Sequence, residues 1–485
     1  MKKVCLDNIN NNKHSLNEFY EKMKTSNYQN RFFGYSALGL SGLLLPSLLS
    51  GSPQKANKSV NKQPNIVIII ADDLGWNDVG YHGSEIKTPT IDRLAREGIE
   101  FDRFYVCSVC SPTRASLLTG RYPSRYGILS PLGDAAGLPA GTLTIAGLLK
   151  QNGYDTGISG KWHLGTVPEG RPMNYGFNSS YGYLRGQIDP YTHLYKDGSR
   201  TWHRNDVLID EEGHATDLIT REAIRLINKP REKGTPFFIY VAYSVPHYPP
   251  DEPKEWKDMY KKAISNESRL NTAAAVTHMD NSINQILEAL KKMGIEENTI
   301  VMFMSDNGAP KGGGESSGYG GKFKGRDIQG DNRPLHGWKG SLYDGAIRVP
   351  SVLIWPGKLK HAKIDEAINV TDVYPTLAFL AGAKIPDGLN IEGINFWPSV
   401  SRESVFKEQT QYWKSNNSIA LEKGEWKLIH NGKKLGEGTD ELYNIKLDPY
   451  ETKDVAKENI EKVMELKREI QNHLSLDSKE IISSK

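Results

Sequence analysis

The pattern of hydrophobic and polar positions predicts buried strands that alternate with amphipathic helices. The runs Ile66 to Ala71, Phe237 to Ala242 and Ile300 to Met304 are continuously apolar, and polar loop residues follow each of them. Runs of this kind are typical of strands buried on both faces of a parallel sheet. A helix is predicted after the first run, with Thr88 as N-cap and Pro89 at its first position, because apolar residues then recur at helical spacing: Ile91, Leu94, Ala95 and Ile99. The chain is therefore expected to have an α/β fold, a large mixed, mostly parallel sheet sandwiched by helices.

A different pattern begins near residue 400. Trp426 to Ile429 and Leu442 to Ile445 are predicted to be short strands, and Val455 to Leu474 an amphipathic helix. We expect one large domain over residues 65–400 and a smaller C-terminal α+β subdomain, a small antiparallel sheet plus a helix, over residues 401–485. The glycine-rich stretch Gly312 to Gly330 is predicted to be a long loop, and loops of that length commonly carry function.

The N-terminal residues differ from the rest of the chain. Residues 1–31 are polar with several lysines, residues 32–49 are apolar, and the small residues Ser50 to Ser52 follow. This order predicts an export signal over residues 1–52, a polar linker over residues 53–64, and a periplasmic or extracellular location. A retained membrane anchor at residues 32–49 is the alternative, because the apolar stretch is close to the minimum length that spans a bilayer.

Composition excludes several classes of partner and fold. The 485 residues include 61 basic and 58 acidic side chains, a formal net charge of +3, so no long-range field favours nucleic acid or an anionic membrane. The chain has three cysteines, Cys5, Cys107 and Cys110, which are too few for a disulfide framework. One of the cysteines is therefore a candidate for a chemically reactive residue.

The segment Cys110 to Arg114 (CSPTR) has the features of an anion site. Pro112 fits the first position of a helix and Gly120 the position after its end, so Cys110 is expected at or just before the helix N-terminus. Backbone N–H groups and the helix dipole would then favour a bound anion, and Arg114 reaches the same side. Two other interpretations stay open for the motif alone: a C-x-x-C redox or half-zinc pair with Cys107, and a buried capping thiol.

Oxygen ligands follow two of the predicted strands. Asp72 and Asp73 end the first strand, and Asp306 and Asn307 end another, at the edge where open α/β sheets bind ligands. Each pair alone is more often a loop or helix cap. Together they offer three carboxylates and an amide oxygen, which select calcium or magnesium over zinc or copper.

Cationic and histidine side chains add candidate catalytic groups. Lys161 and His163 are two residues apart and would share one face if the chain were extended there. His247 follows the Phe237 strand, and Lys339 follows the glycine-rich loop. Each alone would most often be a solvated lysine or a structural histidine, so they count only in combination.

In combination, these motifs resemble those of the formylglycine-dependent sulfatases of the alkaline-phosphatase superfamily. The similar segments occur in the family's order over roughly residues 65–475: Ile66 to Gly75, Cys110 to Arg121, Gly160 to Gly165, Ser305 to Gly308 and Asn332 to Pro350. The family signature requires proline two and arginine four residues after the cysteine. Cys110 meets this requirement, whereas Cys107 has Val109 where the proline should be.

The resemblance implies a mechanism. Cys110 would be oxidised to formylglycine by a maturation enzyme, and one Ca²⁺ per chain, with Mg²⁺ as the weaker candidate, would be bound by Asp72, Asp73, residue 110, Asp306 and Asn307. The resemblance also implies roles for the basic residues. Arg114, Lys161 and Lys339 would bind the sulfate, His247, alone or together with Lys339, would protonate the leaving alcohol, and His163 would act as the base for sulfate release.

Three segments look most similar to the arylsulfatase B, or N-acetylgalactosamine-4-sulfatase, branch: Leu74 to Ser84, Gly176 to Leu184 and Arg333 to Gly345. The branch implies a sulfated galactose-type sugar, held by Lys161, His247, Lys339 and His336. The chain departs from the branch pattern at His336, where arginine is usual, and at Asp344 to Ala346, where Glu-Gly-Gly is usual. Both departures lie near the expected sugar pocket, so the sugar and the sulfated carbon stay open.

Two other functions remain. A phosphatase, phosphodiesterase or phosphonate-ester hydrolase could use the same scaffold, although the usual phosphatase pattern has a serine or threonine nucleophile and histidine-rich zinc sites. A carbohydrate-binding relative without catalysis is the alternative of another class. The complete set of candidate residues favours the sulfatase.

Overall fold

A computed structural model describes residues 63–134, 137–312, 318–323, 327–403 and 409–481. The predicted export segment and residues 53–62 of the predicted linker lie outside these ranges. Within them, no helix combines the length and the apolar character needed to cross a bilayer.

The chain alternates strands and helices as the apolar pattern predicts. The strands are β1 Asn65–Asp72, β2 Ile99–Phe101, β3 Phe104–Tyr105, β4 Asp155–Lys161, β5 Ser179–Tyr183, β6 Trp202–Arg204, β7 Val207–Leu208, β8 Phe237–Pro246, β9 Thr299–Ser305, β10 Ser351–Ile354, β11 Ala362–Ile364, β12 Ile368–Asn369, β13 Gln411–Lys414, β14 Ile419–Lys423, β15 Trp426–Asn431 and β16 Thr439–Asn444. The helices are α1 Pro89–Glu97, α2 Cys110–Thr119, α3 Ile145–Gln151, α4 Ala215–Asn228, α5 Lys254–Asp258, α6 Glu267–Lys292, α7 Asp344–Ile347, α8 Val373–Leu380, α9 Trp397–Val400 and α10 Ile460–Leu474.

Ten strands form the main sheet, in the order β11-β2-β10-β9-β1-β8-β4-β5-β6-β7. The five central strands, β9 to β5 in this order, run parallel, and β10 and β6 flank them in antiparallel orientation. The large mixed, mostly parallel sheet expected from the sequence is therefore confirmed.

Strand β1 shows why the sheet needs helices on both faces. Ile66, Ile68 and Ile70 pack into one core with residues of α2, α3 and α8. Val67 and Ile69 point the other way, into a second core with α1, α4 and α6. Because successive side chains of a strand point to opposite faces, a continuously apolar strand is stable only between two helical layers.

The C-terminal strands β13 to β16 form a separate four-stranded antiparallel sheet. One face packs on α10 through residues such as Leu428 and Leu466. The other face packs on residues of the larger part of the chain, including Trp413 against Tyr105. The predicted small α+β unit is present and is joined to the main sheet region by an apolar face.

Some predicted element boundaries were wrong. Helix α2 begins at Cys110, so Pro112 is its third residue and not its first. Ile99 belongs to β2, because α1 ends at Glu97 before Gly98. The C-terminal helix begins at Ile460 and not at Val455. Each error lies at an element end, where local spacing carries little information.

Candidate functional site

The main sheet brings the predicted site residues together at one edge. Strands β9, β1, β8 and β4 are neighbours and parallel, so their carboxyl ends lie side by side. Asp72 and Lys161 are the last residues of β1 and β4, while Asp306 and His247 directly follow β9 and β8. Strand pairing therefore brings distant residues into contact: Asn307 contacts Asp73, 234 positions earlier in the chain.

The four predicted oxygen ligands form one buried cluster. The Asp73 amide donates to Asp306 Oδ1 at 3.2 Å, and Asn307 Nδ2 donates to Asp73 Oδ1 at 2.8 Å. Asp73 adopts a left-handed backbone conformation with φ 73°, which turns the chain directly after Asp72. Asp72 Oδ1 and Asn307 Oδ1 are buried and have no hydrogen-bond partner among the described residues.

This cluster fits a hard divalent cation. Burial, together with the nearby Asp72 carboxylate, raises the pKa of Asp306 to about 6. Burial also opposes ionisation of Asp73, but Lys339 and His247 hold the pKa of that carboxyl well below its ordinary value. Crowded carboxylates with two unpartnered buried oxygens are the arrangement that a bound Ca²⁺ or Mg²⁺ would satisfy.

Cys110 is the first residue of α2 and is almost completely buried. Burial raises the pKa of its thiol, and the cations Lys161 and Lys339 only partly offset this effect. An unmodified Cys110 is therefore a protonated thiol at neutral pH and a weak nucleophile. Cys107 and Cys110 are both free, and Cys107 Sγ contacts Ser116 Oγ at 3.7 Å.

His163 lies directly beside Cys110, with 3.2 Å between its Nδ1 and the Cys110 sulfur. Its Nε2 lies 3.2 Å from the Leu132 carbonyl oxygen, which only accepts, so Nε2 carries the proton. Burial and the neighbouring cations lower the pKa of His163 well below its ordinary value. The imidazole is thus neutral and presents the Nδ1 lone pair to residue 110, as a base requires.

The extended conformation considered for Lys161 and His163 is wrong, because His163 has φ 56°. The turn sends the two side chains to different partners of one site: Lys161 Nζ donates to Asp72 Oδ2 at 2.7 Å, and His163 faces Cys110. Their proximity therefore comes from a left-handed residue and not from strand alternation.

Arg114 and Lys339 pair with the other two carboxylates. Arg114 donates to Asp306 Oδ2 from Nε at 3.1 Å and from a terminal nitrogen at 2.7 Å, and it is completely buried. Lys339 Nζ lies 2.5 Å from Asp73 Oδ1, and His247 Nε2 lies 3.7 Å from Asp73 Oδ2.

Three cations thus balance three carboxylates before any ion binds, so a divalent cation would leave the site positive and suited to an anion. The side chains of Lys339 and His247 keep 17% and 16% of their surface exposed, whereas Arg114 and Lys161 keep none. Lys339 and His247 therefore stand at the mouth of the site.

His336 is not brought into this cluster. It is exposed, its ring stacks on Tyr343 at 4.1 Å, and its Nδ1 lies 3.1 Å from the Glu451 backbone oxygen. Its predicted contact with a sugar stays a prediction.

Three residues that support the site were not singled out in the sequence. The Tyr240 hydroxyl lies 3.4 Å from Arg114, and Ser305 Oγ accepts from the Leu74 amide and donates to the Asn307 carbonyl. Gly186 lies against the His163 ring, since a Cβ there would be 2.8 Å from two ring atoms. Ser305 precedes the Asp306-Asn307 pair, which was a usable signal; nothing in the local sequence marks Tyr240 or Gly186.

Comparison with known proteins agrees with this geometry. The sequence model of the family described as Sulfatase matches residues 64–383, and that of N-sulphoglucosamine sulphohydrolase, C-terminal, matches residues 335–479. The chain belongs to the sulfatase family. The predicted family, one of sulfuric ester hydrolases, is therefore confirmed.

Several relatives of this sulfatase family member are similar over most of its length. Arylsulfatase J of Mus musculus is 33% identical over 365 residues, which cover 72% of this chain and 57% of that protein. The chain thus spans less than two thirds of the length of arylsulfatase J. N-acetylgalactosamine-6-sulfatase of Mus musculus is 30% identical over 434 residues, which cover 84% of this chain and 77% of that protein.

Solved structures show the same architecture. The crystal structure of Ps i-CgsB in complex with k-i-k-neocarrahexaose has a TM-score of 0.77 and 32% identity, covering 86% of this chain and 94% of that chain. The PsFucS1 sulfatase from Pseudoalteromonas sp., at 23% identity and a TM-score of 0.72, covers 85% of this chain and 90% of that chain and supports the fold alone.

Proposed function

We propose that this sulfatase family member hydrolyses sulfate esters of galactose-type or N-acetylgalactosamine-type sugars, with formylglycine at position 110 and a bound Ca²⁺. One observation carries the proposal. The oxygen cluster of Asp72, Asp73, Asp306 and Asn307, with its two unpartnered buried oxygens, lies in one site with Cys110 at the start of α2.

Calcium would be held by Asp72, Asp73, Asp306 and Asn307, together with an oxygen of modified residue 110. Bound there, it would act as a Lewis acid toward a sulfate oxygen and lower the pKa of a hydroxyl on residue 110. Oxygen-only donors favour Ca²⁺ or Mg²⁺ over zinc, which argues against the two-zinc phosphatase pattern.

The position and protonation state of Cys110 support its conversion to an aldehyde. The buried thiol is protonated and stands at a helix N-terminus, where an oxygen nucleophile and its anionic product would be favoured. A hydrated aldehyde has two hydroxyls: one would take up the sulfate, and the other would release it when the carbonyl of residue 110 re-forms. A serine at this position has a single hydroxyl and would remain as a stable sulfate ester. Conversion requires a maturation enzyme in the host.

The surrounding side chains would remove a proton and stabilise negative charge. His163 presents an unprotonated Nδ1 to residue 110 and would remove the proton there when sulfate leaves. Lys161, Arg114 and Lys339 supply fixed positive charge for the sulfate oxygens.

His247 would protonate the leaving alcohol. Its Nδ1 donates to the Tyr248 carbonyl, which leaves Nε2 toward the site, and burial lowers its pKa to about 4. A bound sulfate ester would raise that pKa by adding negative charge beside the ring, so His247 would take up its proton together with the substrate.

The relatives support the choice of sugar. N-acetylgalactosamine-6-sulfatase is named for N-acetylgalactosamine, and the Ps i-CgsB structure contains k-i-k-neocarrahexaose. We therefore expect turnover of sulfated galactose or N-acetylgalactosamine residues in oligosaccharides. A panel of such sugars, k-i-k-neocarrahexaose and matched phosphate esters, with sulfate and phosphate release measured, tests both the sugar and the reaction.

The decisive variant is Cys110→Ala, with Cys107→Ala as the matched control from the same C-x-x-C segment. Cys110→Ala should release no sulfate while melting like the parent, and Cys107→Ala should stay active. Mass spectrometry of the active protein should show residue 110 as an aldehyde or its hydrate. Parental rates of sulfate release from Cys110→Ala would end the proposal.

Variants at the mouth test the charge-binding and acid roles. Lys339→Ala and His247→Ala should each lower kcat by a factor of about a hundred or more. Use of 4-nitrophenyl sulfate separates them, because its good leaving group needs little protonation. The His247→Ala loss should shrink on that substrate, and the Lys339→Ala loss should not.

A further inference from the structure

A second buried polar cluster lies among the helices and contains His214, Glu252 and His278. His214 directly precedes α4, Glu252 lies in the loop between β8 and α5, and His278 lies within α6. The three residues are 2–4% exposed, and their ligating atoms all lie within 4.8 Å of one another. The cluster shares no residue with the site around Cys110.

One ring nitrogen in this cluster makes no hydrogen bond within the described part of the chain. His214 Nε2 is buried, has no hydrogen-bond partner among the described residues, and lies 3.7 Å from Glu252 Oε1, too far for a hydrogen bond. Two ligands bound tetrahedrally at 2.0–2.1 Å lie about 3.4 Å apart. The His214 to Glu252 distance is close to that separation.

We propose that His214, Glu252 and His278 bind one divalent transition-metal ion of the zinc class, through His214 Nε2, a Glu252 carboxylate oxygen and His278 Nδ1. Two imidazoles and one carboxylate form a donor set that suits zinc and its neighbours better than calcium. Nothing in the proposed sulfatase reaction requires this ion, so the site is a separate property of the chain.

A fourth residue supports the ligand geometry. Asp217 Oδ1 lies 3.0 Å from His278 Nε2, the ring nitrogen that faces away from Glu252. A metal-bound histidine commonly donates its other N–H to a carboxylate, which fixes the tautomer and the orientation of the ring. Trp256 stacks on the His278 ring at 4.9 Å and restricts its rotation further.

Metal binding would replace two existing contacts. The ion would displace the proton that His278 Nδ1 shares with Glu252 Oε2 across 2.6 Å and release it to solvent. His214 would then carry its proton on Nδ1 and give up the 3.3 Å contact with the Thr216 amide. In exchange, the ion would link the loop after β8 to α4 and α6.

The test uses the full chain, stripped with a chelator and then saturated with Ca²⁺ so that the oxygen cluster is filled. Zn²⁺ binding is measured by calorimetry and elemental analysis, Co²⁺ is used as a spectroscopic probe, and thermal melting reports stability. His214→Asn keeps a side chain that suits an N-cap, and His278→Gln removes the second imidazole. His430→Gln is the matched control, because His430 Nδ1 is also buried against a carboxylate at 2.6 Å.

The parent and His430→Gln should bind one zinc per chain with a Kd below about 1 μM, give visible Co²⁺ bands, and melt at higher temperature with zinc. His214→Asn and His278→Gln should each lose about a hundredfold or more in affinity. The absence of zinc binding by the calcium-saturated parent would refute the site. So would parental affinity in both variants, because the zinc would then be held elsewhere. Since the readout is metal content, it is independent of whether the chain proves to be a sulfatase in the assay above.

Discussion

Replacing Gly186 by alanine is expected to displace the proposed base, His163, without disturbing the fold. The new Cβ would lie 2.8 Å from Cε1 and Nε2 of the ring, whereas ordinary contact begins at 3.4 Å. The ring must therefore retreat by about 0.6 Å. It is held on its other nitrogen by Cys110 at 3.2 Å, so any retreat changes the contact between base and nucleophile.

A displacement of this size should be visible in turnover. Misplacing a reacting group by about 1 Å can lower a rate about a hundredfold, so we expect kcat to fall by a factor of about 10–100, equivalent to about 1.4–2.7 kcal/mol. Sulfate release by the purified protein is the assay. Gly147→Ala in α3 is the matched control, because the only tight contact of its Cβ would be the flexible end of Leu143 at 3.1 Å, the next atoms lying at 3.8 Å.

The loss should appear in kcat more than in KM, and the melting temperature of Gly186→Ala should stay near that of the parent. His163→Ala should lower kcat at least as much. A Gly186→Ala protein with the kcat of the parent would show that the position of His163 is unimportant to turnover, and the proposed base would have to be abandoned.

Three further outcomes follow from the structure. Ca²⁺ at about a hundred times its Kd should stabilise the chain by about 2.7 kcal/mol in denaturant titrations, and Asp72→Asn should remove most of that gain. Lys427→Met should lower the free energy of unfolding by about 3–5 kcal/mol, because Lys427 is completely buried between two buried carboxylates. The control Lys423→Met, at an exposed ion pair, should lower it by no more than about 1 kcal/mol. Equal losses of the two variants in chemical denaturation would contradict this prediction. Burial raises the pKa of Asp372 to about 7, above the ordinary value of about 3.9. The folded state therefore binds the extra proton, and this contribution to stability is complete below about pH 4 and lost as the pH rises through 7. Asp372→Asn should flatten the fall of unfolding free energy between pH 5 and 8, and an unchanged slope would refute the assignment.

Much of the fold could be predicted from the sequence, because its strongest signals are long and local. The apolar runs that became β1, β8 and β9 are wholly buried, as their composition predicts. Two of the four C-terminal strands overlap the predicted segments: β15 begins at Trp426 as predicted, and β16 includes Leu442 to Asn444 but begins at Thr439. The errors fell at helix ends. Helix α1 is one example: its apolar spacing continues to Ile99, but the helix ends at Glu97 and Ile99 pairs with Leu353 of β10, a distant partner that no local pattern reveals.

The sequence by itself determined which residue types stand at the spacing that the proposed chemistry needs: a cysteine with proline and arginine at fixed spacing, and acidic pairs at strand ends. Those are properties of residue type and short spacing. Only the tertiary structure decided how they meet. Parallel pairing of four strands places Asp72, Asp306, His247 and Lys161 at one edge, and a left-handed turn aims His163 at Cys110. Gly186 and the cluster of His214, Glu252 and His278 depend on contacts between segments distant in the chain, and distances of that kind are set by packing and not by local sequence.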